Sequence, residues 1–315
     1  MNIVLLESLG IPDQLLQSFA TDLSDRGHTF AAYERTDDTA ELIRRAADAD
    51  ILMIANMPLP GAVIRACTHL QWINVAFTGV DHVDLAAAKA CGVRVSNAAG
   101  YSTEAVAELA IGQMISLLRH VPETEMACRA GGTKAGLIGR ELNACTVGII
   151  GTGAIGQRVA ALGRAFGCEV LGYAPRPKKE AEAILTYVPM DELLRRSDIV
   201  SLHCPMNEST RHLIGADELA LMKPTALLLN LARGGVVDTT ALADALSSGR
   251  IAGAAVDVFD VEPPLPSGHP LLTCPRCHVT PHIAFASDES MVKRANIVFR
   301  SLDAFLRGEQ MNRVL

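Results

Sequence analysis

The sequence predicts two doubly wound α/β domains, each a parallel sheet with helices on both faces. Three observations carry that prediction. The chain has 315 residues, 49% of them apolar, which suffices for two cores. Short apolar runs alternate with amphipathic stretches along most of its length, the pattern of strands joined by crossover helices. Near the middle, CTVGIIGTGAIG at 145–156 sets a buried-strand run before Gly151, Gly153 and Gly156 and a helix directly after them.

Taken in order, a strand is expected at Asn2–Leu6. A helix follows from Pro12, with Leu15, Leu16, Phe19 and Leu23 on one face and Gly27 closing it. Next come a strand at His28–Tyr33, a helix at Thr39–Ala47, a strand at Ile51–Ala55 and a proline-rich turn at Met57–Pro60. A short helix, a strand at Trp72–Ala76, a helix at Leu85–Cys91 and a strand at Val93–Ser96 complete a first α/β domain. Residues 103–119 read as a helix apolar nearly all round, from Val106 to Leu118, hence buried between domains or against a second subunit. The stretch 121–141, with Gly131, Gly132 and Gly136, reads as a loop.

After the glycines, Ile155, Val159, Leu162 and Phe166 share one helical face. Strands are expected at Glu169–Tyr173, Ile199–His203, Ala226–Leu231, Ala254–Phe259 and Val279–Ile283. Asp238 or Thr239 caps a helix ending at Gly249, and 288–306 is an amphipathic helix.

A formal charge of −7 gives no reason to expect nucleic acid or an anionic membrane as partner. No apolar run approaches membrane-spanning length, and MNIVLLESLG carries no basic leader, so a cytoplasmic enzyme with reduced cysteines is expected. Cys274, Cys277 and His278 have the spacing of haem attachment. That chemistry needs an exported chain, and zinc would need a second ligand pair, so no metal is expected.

Each glycine of the turn has a physical task. Gly151 makes the tight bend, Gly153 lets backbone approach a pyrophosphate, and Gly156 lets helix pack on strand. The start of the following helix, Ala154 and Ile155, offers free N–H groups and a positive dipole end to phosphate. Three further residues follow predicted strands, where open α/β sheets keep their ligands: Arg233, Glu262 and His282. Reducing a 2-oxo acid calls for a cation where negative charge grows, and a rigid guanidinium fork serves. It also calls for a proton donor near neutral pH, which an imidazole beside a carboxylate supplies.

In TGVDHVDL (from Thr78), GYSTEAVAEL (from Gly100), GTGAIG, HCPMNEST, NLARGGVVD, AAVDVFDVEP and TPHIAFAS, the chain resembles the D-isomer-specific 2-hydroxyacid dehydrogenases nearly end to end. The resemblance implies two Rossmann-like domains, the substrate domain discontinuous and flavodoxin-like. It is expected at 1–99 and 285–315, with the dinucleotide-binding domain at 100–284. The resemblance assigns Arg233 to substrate binding and carbonyl polarisation, His282 to proton transfer and Glu262 to tuning that histidine. It places the substrate carboxylate at Thr78 and Gly79, and lines the cofactor with Pro205, Thr210, Ala232 and Asp257. The D stereochemistry follows from it alone.

The strand EVLGY is followed by Ala174, where an acidic residue would hold the ribose 2′-OH. Pro175, Arg176, Pro177, Lys178 and Lys179 come next, so NADP(H) is expected to be preferred, with Arg176 and Lys178 on the 2′-phosphate and NAD(H) second. Asn56 and Met57 are expected to face the substrate side chain; neither is charged, so no phosphate-binding cation is expected there. The chain also stops soon after its last helix, with no regulatory domain expected. A small 2-oxo acid such as glyoxylate or hydroxypyruvate is therefore the expected substrate, and a bulkier apolar one stays open. Rival readings are a D-lactate or D-3-phosphoglycerate dehydrogenase, and a non-catalytic dinucleotide sensor. A homodimer through the 103–119 helix is expected, because its apolar surface needs cover.

Overall fold

The computed structural model of the protein describes residues 1–261 and 264–315. The chain divides into two compact units, 1–102 with 286–315, and 103–285. The divisions fall slightly beyond the positions expected near Gly100 and Ala284.

In the first unit the strands are β1 (Asn2–Leu5), β2 (Thr29–Ala32), β3 (Ile51–Ile54), β4 (Trp72–Val75) and β5 (Arg94–Asn97). They pair in parallel in the order β2-β1-β3-β4-β5. Every residue of β3 and β4 is buried, as befits central strands covered on both faces. The connecting helices are α1 (Asp13–Asp25), α2 (Thr39–Ala46), α3 (Gly61–Ala66) and α4 (Leu85–Ala90). Asp38 and Asp84 cap α2 and α4 by accepting from backbone N–H groups of the first turn.

The second unit holds β6 (Thr146–Ile150), β7 (Glu169–Tyr173), β8 (Thr186–Tyr187), β9 (Ile199–Leu202), β10 (Leu227–Asn230), β11 (Gly253–Val256) and β12 (Cys277–Val279). All are parallel, in the order β12-β11-β10-β9-β6-β7-β8. Its helices are α5 (Thr103–Leu118), α6 (Val121–Arg129), α7 (Ala154–Ala165), α8 (Met190–Arg196), α9 (Ala216–Leu221) and α10 (Thr239–Ser247). Strand alternation divides the core in two. Leu227 and Leu229 join residues of α5 and α7 on one face, and Leu228 joins Leu242 and Leu246 of α10 on the other. The chain then returns to the first unit as α11 (Asp288–Leu306), capped reciprocally by Ser287 and Ser290. Two stacked ring pairs seat it, Phe305 on Trp72 at 4.4 Å and Phe299 on Phe19 at 3.8 Å.

Several readings of the sequence need correction. Residues 121–129 form α6 rather than loop, with Pro122 in its first turn and His120 at φ 53° breaking it from α5. The last strand lies at Cys277–Val279, and 280–283 is irregular because backbone donors there turn to Asp257. Phe166 is exposed at the end of α7, although Val159 is buried and Ile155 and Leu162 pack against the core. The short β8, α8 and α9 carry too little periodicity to read. The apolar face of α5 is used within its own unit, where Val106, Ile111, Met114 and Leu117 are buried. The exposed apolar side chains lie further on, at Val121, Met126 (70% exposed) and Ile138 (83%). No helix among the described residues is long and apolar enough to cross a membrane.

Candidate active site

Strand order in the second sheet reverses between β6 and β9, the switch point where such sheets open a crevice at their C-terminal edge. The glycine turn fills that position. Gly151 has φ +95°, and a Cβ on it would lie 2.6 Å from the backbone of His203 and Cys204 after β9. A Cβ on Gly156 would lie 2.0 Å from the Gly151 carbonyl oxygen. Neither site admits a side chain. Gly153 has nothing within 4 Å of its Cβ position, so the space over the first turn of α7, Ala154 and Ile155, is clear. Across the switch point Pro205 is exposed, and the Thr210 hydroxyl donates to its carbonyl at 2.7 Å and accepts from Asn207 N–H. The Thr210 hydroxyl thus closes its own turn.

β10, β11 and β12 are neighbours, so the segments leaving them share one edge of the sheet. Arg233, half-buried, leaves β10. Asn230 (1% exposed) closes the turn beneath it, donating to the Arg233 carbonyl at 2.9 Å and accepting from Ala232 N–H at 3.2 Å. Arg233 Nη1 donates to the Ala232 carbonyl at 2.8 Å. Glu262, expected after β11, lies outside the described residues. His282 leaves β12 at φ +56°, in the left-handed region. Its ring meets Phe285 edge-on at 5.3 Å.

Asp257 holds His282 in that conformation. The His282 N–H donates to the Asp257 carbonyl oxygen at 2.8 Å. The Asp257 carboxylate accepts from Thr280 Oγ1 (2.6 Å), Ile283 N (2.8 Å) and Ala284 N (2.8 Å). Burial at 2% exposure pushes its carboxyl above the usual range, while those donors and nearby His282 pull it down. The Asp257 carboxylate, expected near the nicotinamide carboxamide, is engaged by the loop that carries His282.

The loop after β7 carries Arg176 and Lys178, both exposed, beyond half-buried Ala174. Tyr187 of β8, which the sequence did not single out, ties this loop to the glycine turn. Its hydroxyl lies 2.8 Å from Thr152 Oγ1 and accepts from the Lys178 N–H at 3.0 Å. Cys277 and His278 sit on β12; burial pushes the Cys277 thiol up to about 12, and His278 Nδ1 lies 3.2 Å from Gln113 Oε1.

In the first unit the order reverses between β1 and β3. Glu7, 4% exposed, follows β1, and its Oε1 accepts from Ala55 N (2.7 Å) and Met57 N (2.8 Å) after β3. Asn56 between them is half-buried, and Arg35 Nη1 donates to its Oδ1 at 3.3 Å. Two expectations change. Met57 has 0% exposure and belongs to the core instead of facing a ligand, and a cation does stand beside Asn56. Arg35 was missed because it follows β2, 21 residues away in sequence, and is brought near Asn56 only because β2 and β3 flank β1. Thr78 and Gly79 follow β4, with the Thr78 carbonyl accepting from Asn97 Nδ2 at 2.7 Å.

Residues 111–284 match the family described as D-isomer specific 2-hydroxyacid dehydrogenase, NAD binding domain. The chain is 38% identical over 280 residues to a D-3-phosphoglycerate dehydrogenase of Methanocaldococcus jannaschii, covering 87% of this chain but 53%, about half, of that longer one. It is 35% identical over 293 residues to a hydroxypyruvate reductase of Blautia hydrogenotrophica, covering 89% of this chain and 90% of that one. A glyoxylate reductase structure from Paecilomyes thermophila superposes with a TM-score of 0.90 at 30% identity, over 100% of this chain and 98% of that one. The chain belongs to the D-isomer specific 2-hydroxyacid dehydrogenases and is an oxidoreductase using a nicotinamide cofactor on a small acid substrate.

Proposed function

We propose that the enzyme reduces a small 2-oxo acid of the glyoxylate or hydroxypyruvate type to the D-2-hydroxy acid, with NADP(H) preferred over NAD(H). The observation that carries this reading is His282, held in a strained conformation by Asp257 on the sheet edge that also carries Arg233. Strain kept by several hydrogen bonds marks a side chain that must point one way.

The glycine turn fits a dinucleotide: a cradle closed to side chains at Gly151 and Gly156 and open over Gly153 and the start of α7 receives the diphosphate. Bound in reduced form, the nicotinamide supplies a hydride to the substrate's carbonyl carbon. Arg233 binds the substrate's carboxylate and carbonyl oxygen, and stabilises the charge that grows on that oxygen. His282 donates the proton that completes the alcohol, and Glu262 serves as its carboxylate partner. Thr78 and Gly79 receive the substrate carboxylate through backbone N–H groups. Pro205, Ala232 and Thr210 border the cofactor. The test is loss of absorbance at the reduced-nicotinamide band with a panel of 2-oxo acids. Tight cofactor binding without turnover on any of them would favour a dinucleotide sensor.

Cofactor preference rests on Ala174, which leaves the ribose 2′-position without a repelling carboxylate, and on Arg176 and Lys178 beyond it. The expected result is a kcat/KM ratio favouring NADPH, falling about tenfold in Arg176→Ala as one charge-assisted contact is lost. A wild-type preference for NADH, unmoved by the substitution, would overturn it. The enzyme is proposed to be a cytoplasmic homodimer, the dimer covering Val121, Met126 and Ile138. Sedimentation at micromolar concentration should then give twice the chain mass, and the double variant Met126→Glu, Ile138→Glu should give a monomer.

A further inference from the structure

We infer that Tyr187 is a positioning residue for cofactor choice. Its hydroxyl fastens the basic loop after β7 to the glycine turn, so that Arg176 stands ready for the 2′-phosphate of NADP(H). This role rests on the proposed NADP(H) preference and names what maintains it.

The loop is tied at both ends to two consecutive residues of the turn. At its start, Gly151 N–H donates to the Tyr173 carbonyl at 2.9 Å. At its end, Lys178 N–H donates to the Tyr187 hydroxyl at 3.0 Å, and that hydroxyl lies 2.8 Å from Thr152 Oγ1. The turn and residues 173–178 thus close into one ring, all of it within the unit 103–285. Of the three hydrogen bonds that close it, two run through the Tyr187 hydroxyl, so a single oxygen keeps the far end shut.

Both anchors are themselves fixed. Thr152 is 3% exposed, and its carbonyl accepts from Gln157 Nε2 of α7 at 2.9 Å. Tyr187 stands opposite Gly172 in the β7–β8 pair and packs against the core shared by Val159 and Leu185.

The chain between the anchors has little freedom. Pro175 and Pro177 have fixed φ, and the proline that follows each confines Ala174 and Arg176 to extended backbone. Residues 174–177 therefore form a stiff bridge with Arg176 on it. The Arg176 side chain is exposed, and no carboxylate among the described residues pairs with it. A cation already in place gives up little freedom when a phosphate arrives, whereas a loose loop would have to be ordered first. NADH lacks the 2′-phosphate and gains nothing from that order.

The test is fluorescence titration of NADPH and NADH into the whole enzyme, with folding checked by thermal melting. It uses wild type, Tyr187→Phe, Thr152→Val and Thr152→Ser, each with Arg176 kept or replaced by alanine. Tyr187→Phe removes only the oxygen, so Kd for NADPH should rise about threefold to tenfold and Kd for NADH far less. In the Arg176→Ala background the same substitution should add little, because both then act through one guanidinium. Thr152→Val should repeat the Tyr187→Phe result and carries the test if Tyr187→Phe is unstable. Thr152→Ser keeps the oxygen and should return the ratio of the two constants to near the wild-type value.

Equal weakening of NADPH and NADH would make Tyr187 a structural strand residue only, and the inference falls. Losses from Tyr187→Phe and Arg176→Ala that add in full overturn it too. So does an unchanged ratio while Arg176→Ala still weakens NADPH, an outcome that leaves the cofactor preference standing. Tighter binding of NADH by wild type, unmoved by Arg176→Ala, would instead overturn that preference, and the role of Tyr187 with it.

Discussion

His282→Ala should lower kcat for 2-oxo acid reduction by about 10²–10⁴-fold, the usual contribution of a positioned general acid. The dissociation constant for NADPH should hardly change. The cradle that receives the cofactor is built from Gly151, Gly153, Gly156 and α7, which lie after β6, whereas His282 leaves β12 at the far end of the strand order. Single-turnover reduction and fluorescence titration of NADPH measure the two quantities separately. A loss of cofactor binding equal to the loss in rate would remove His282 from the proton step. Asp257→Asn provides a graded companion. An amide cannot accept from Thr280 Oγ1, Ile283 N–H and Ala284 N–H with two oxygens, so the loop loosens and kcat falls without removal of the imidazole.

Arg233→Ala should raise KM for the oxo acid and lower kcat by about 10²–10³-fold, the range for loss of one donor to a developing oxyanion. Both parameters move if, as proposed, the guanidinium holds the ground-state carboxylate and the growing charge alike. Arg233→Lys should recover little, since a lysine places one charge where the fork places two aligned donors. Steady-state kinetics across both variants checks this. A KM effect with unchanged kcat would reduce Arg233 to a substrate-binding group. Turn geometry should survive both substitutions, because Asn230 organises it through backbone atoms of Ala232 and Arg233.

Local pattern made most of the fold legible. β3 is a continuous apolar run, and α11 has both a capping serine and an uninterrupted amphipathic repeat. The glycine turn could be read because Gly151 needs a positive φ and Gly156 meets the Gly151 carbonyl five positions away, while Gly153 leaves the space over α7 clear. What escaped reading depended on distant chain. Arg35 meets Asn56 only because β2 and β3 flank β1. Tyr187 reaches Thr152 only because the two-residue β8 pairs with β7. The end of β12 was misplaced because 280–283 read as strand, while Asp257 takes the His282 N–H on its carbonyl and the Ile283 N–H on its buried carboxylate, out of the ladder. Apolar surface on α5 suggested a subunit interface, yet α7 and the sheet already cover it.

The left-handed backbone at residue 282 sets heat tolerance against turnover. A non-glycine residue in this region costs on the order of 1–3 kcal/mol, and asparagine occupies it more readily than most. Replacing the imidazole there removes the proposed proton donor together with its edge-on contact with Phe285. Variants selected only for surviving heat would therefore accumulate at this codon as robust, inert proteins, and any directed-evolution scheme on this scaffold must score catalysis in the same round as thermal survival.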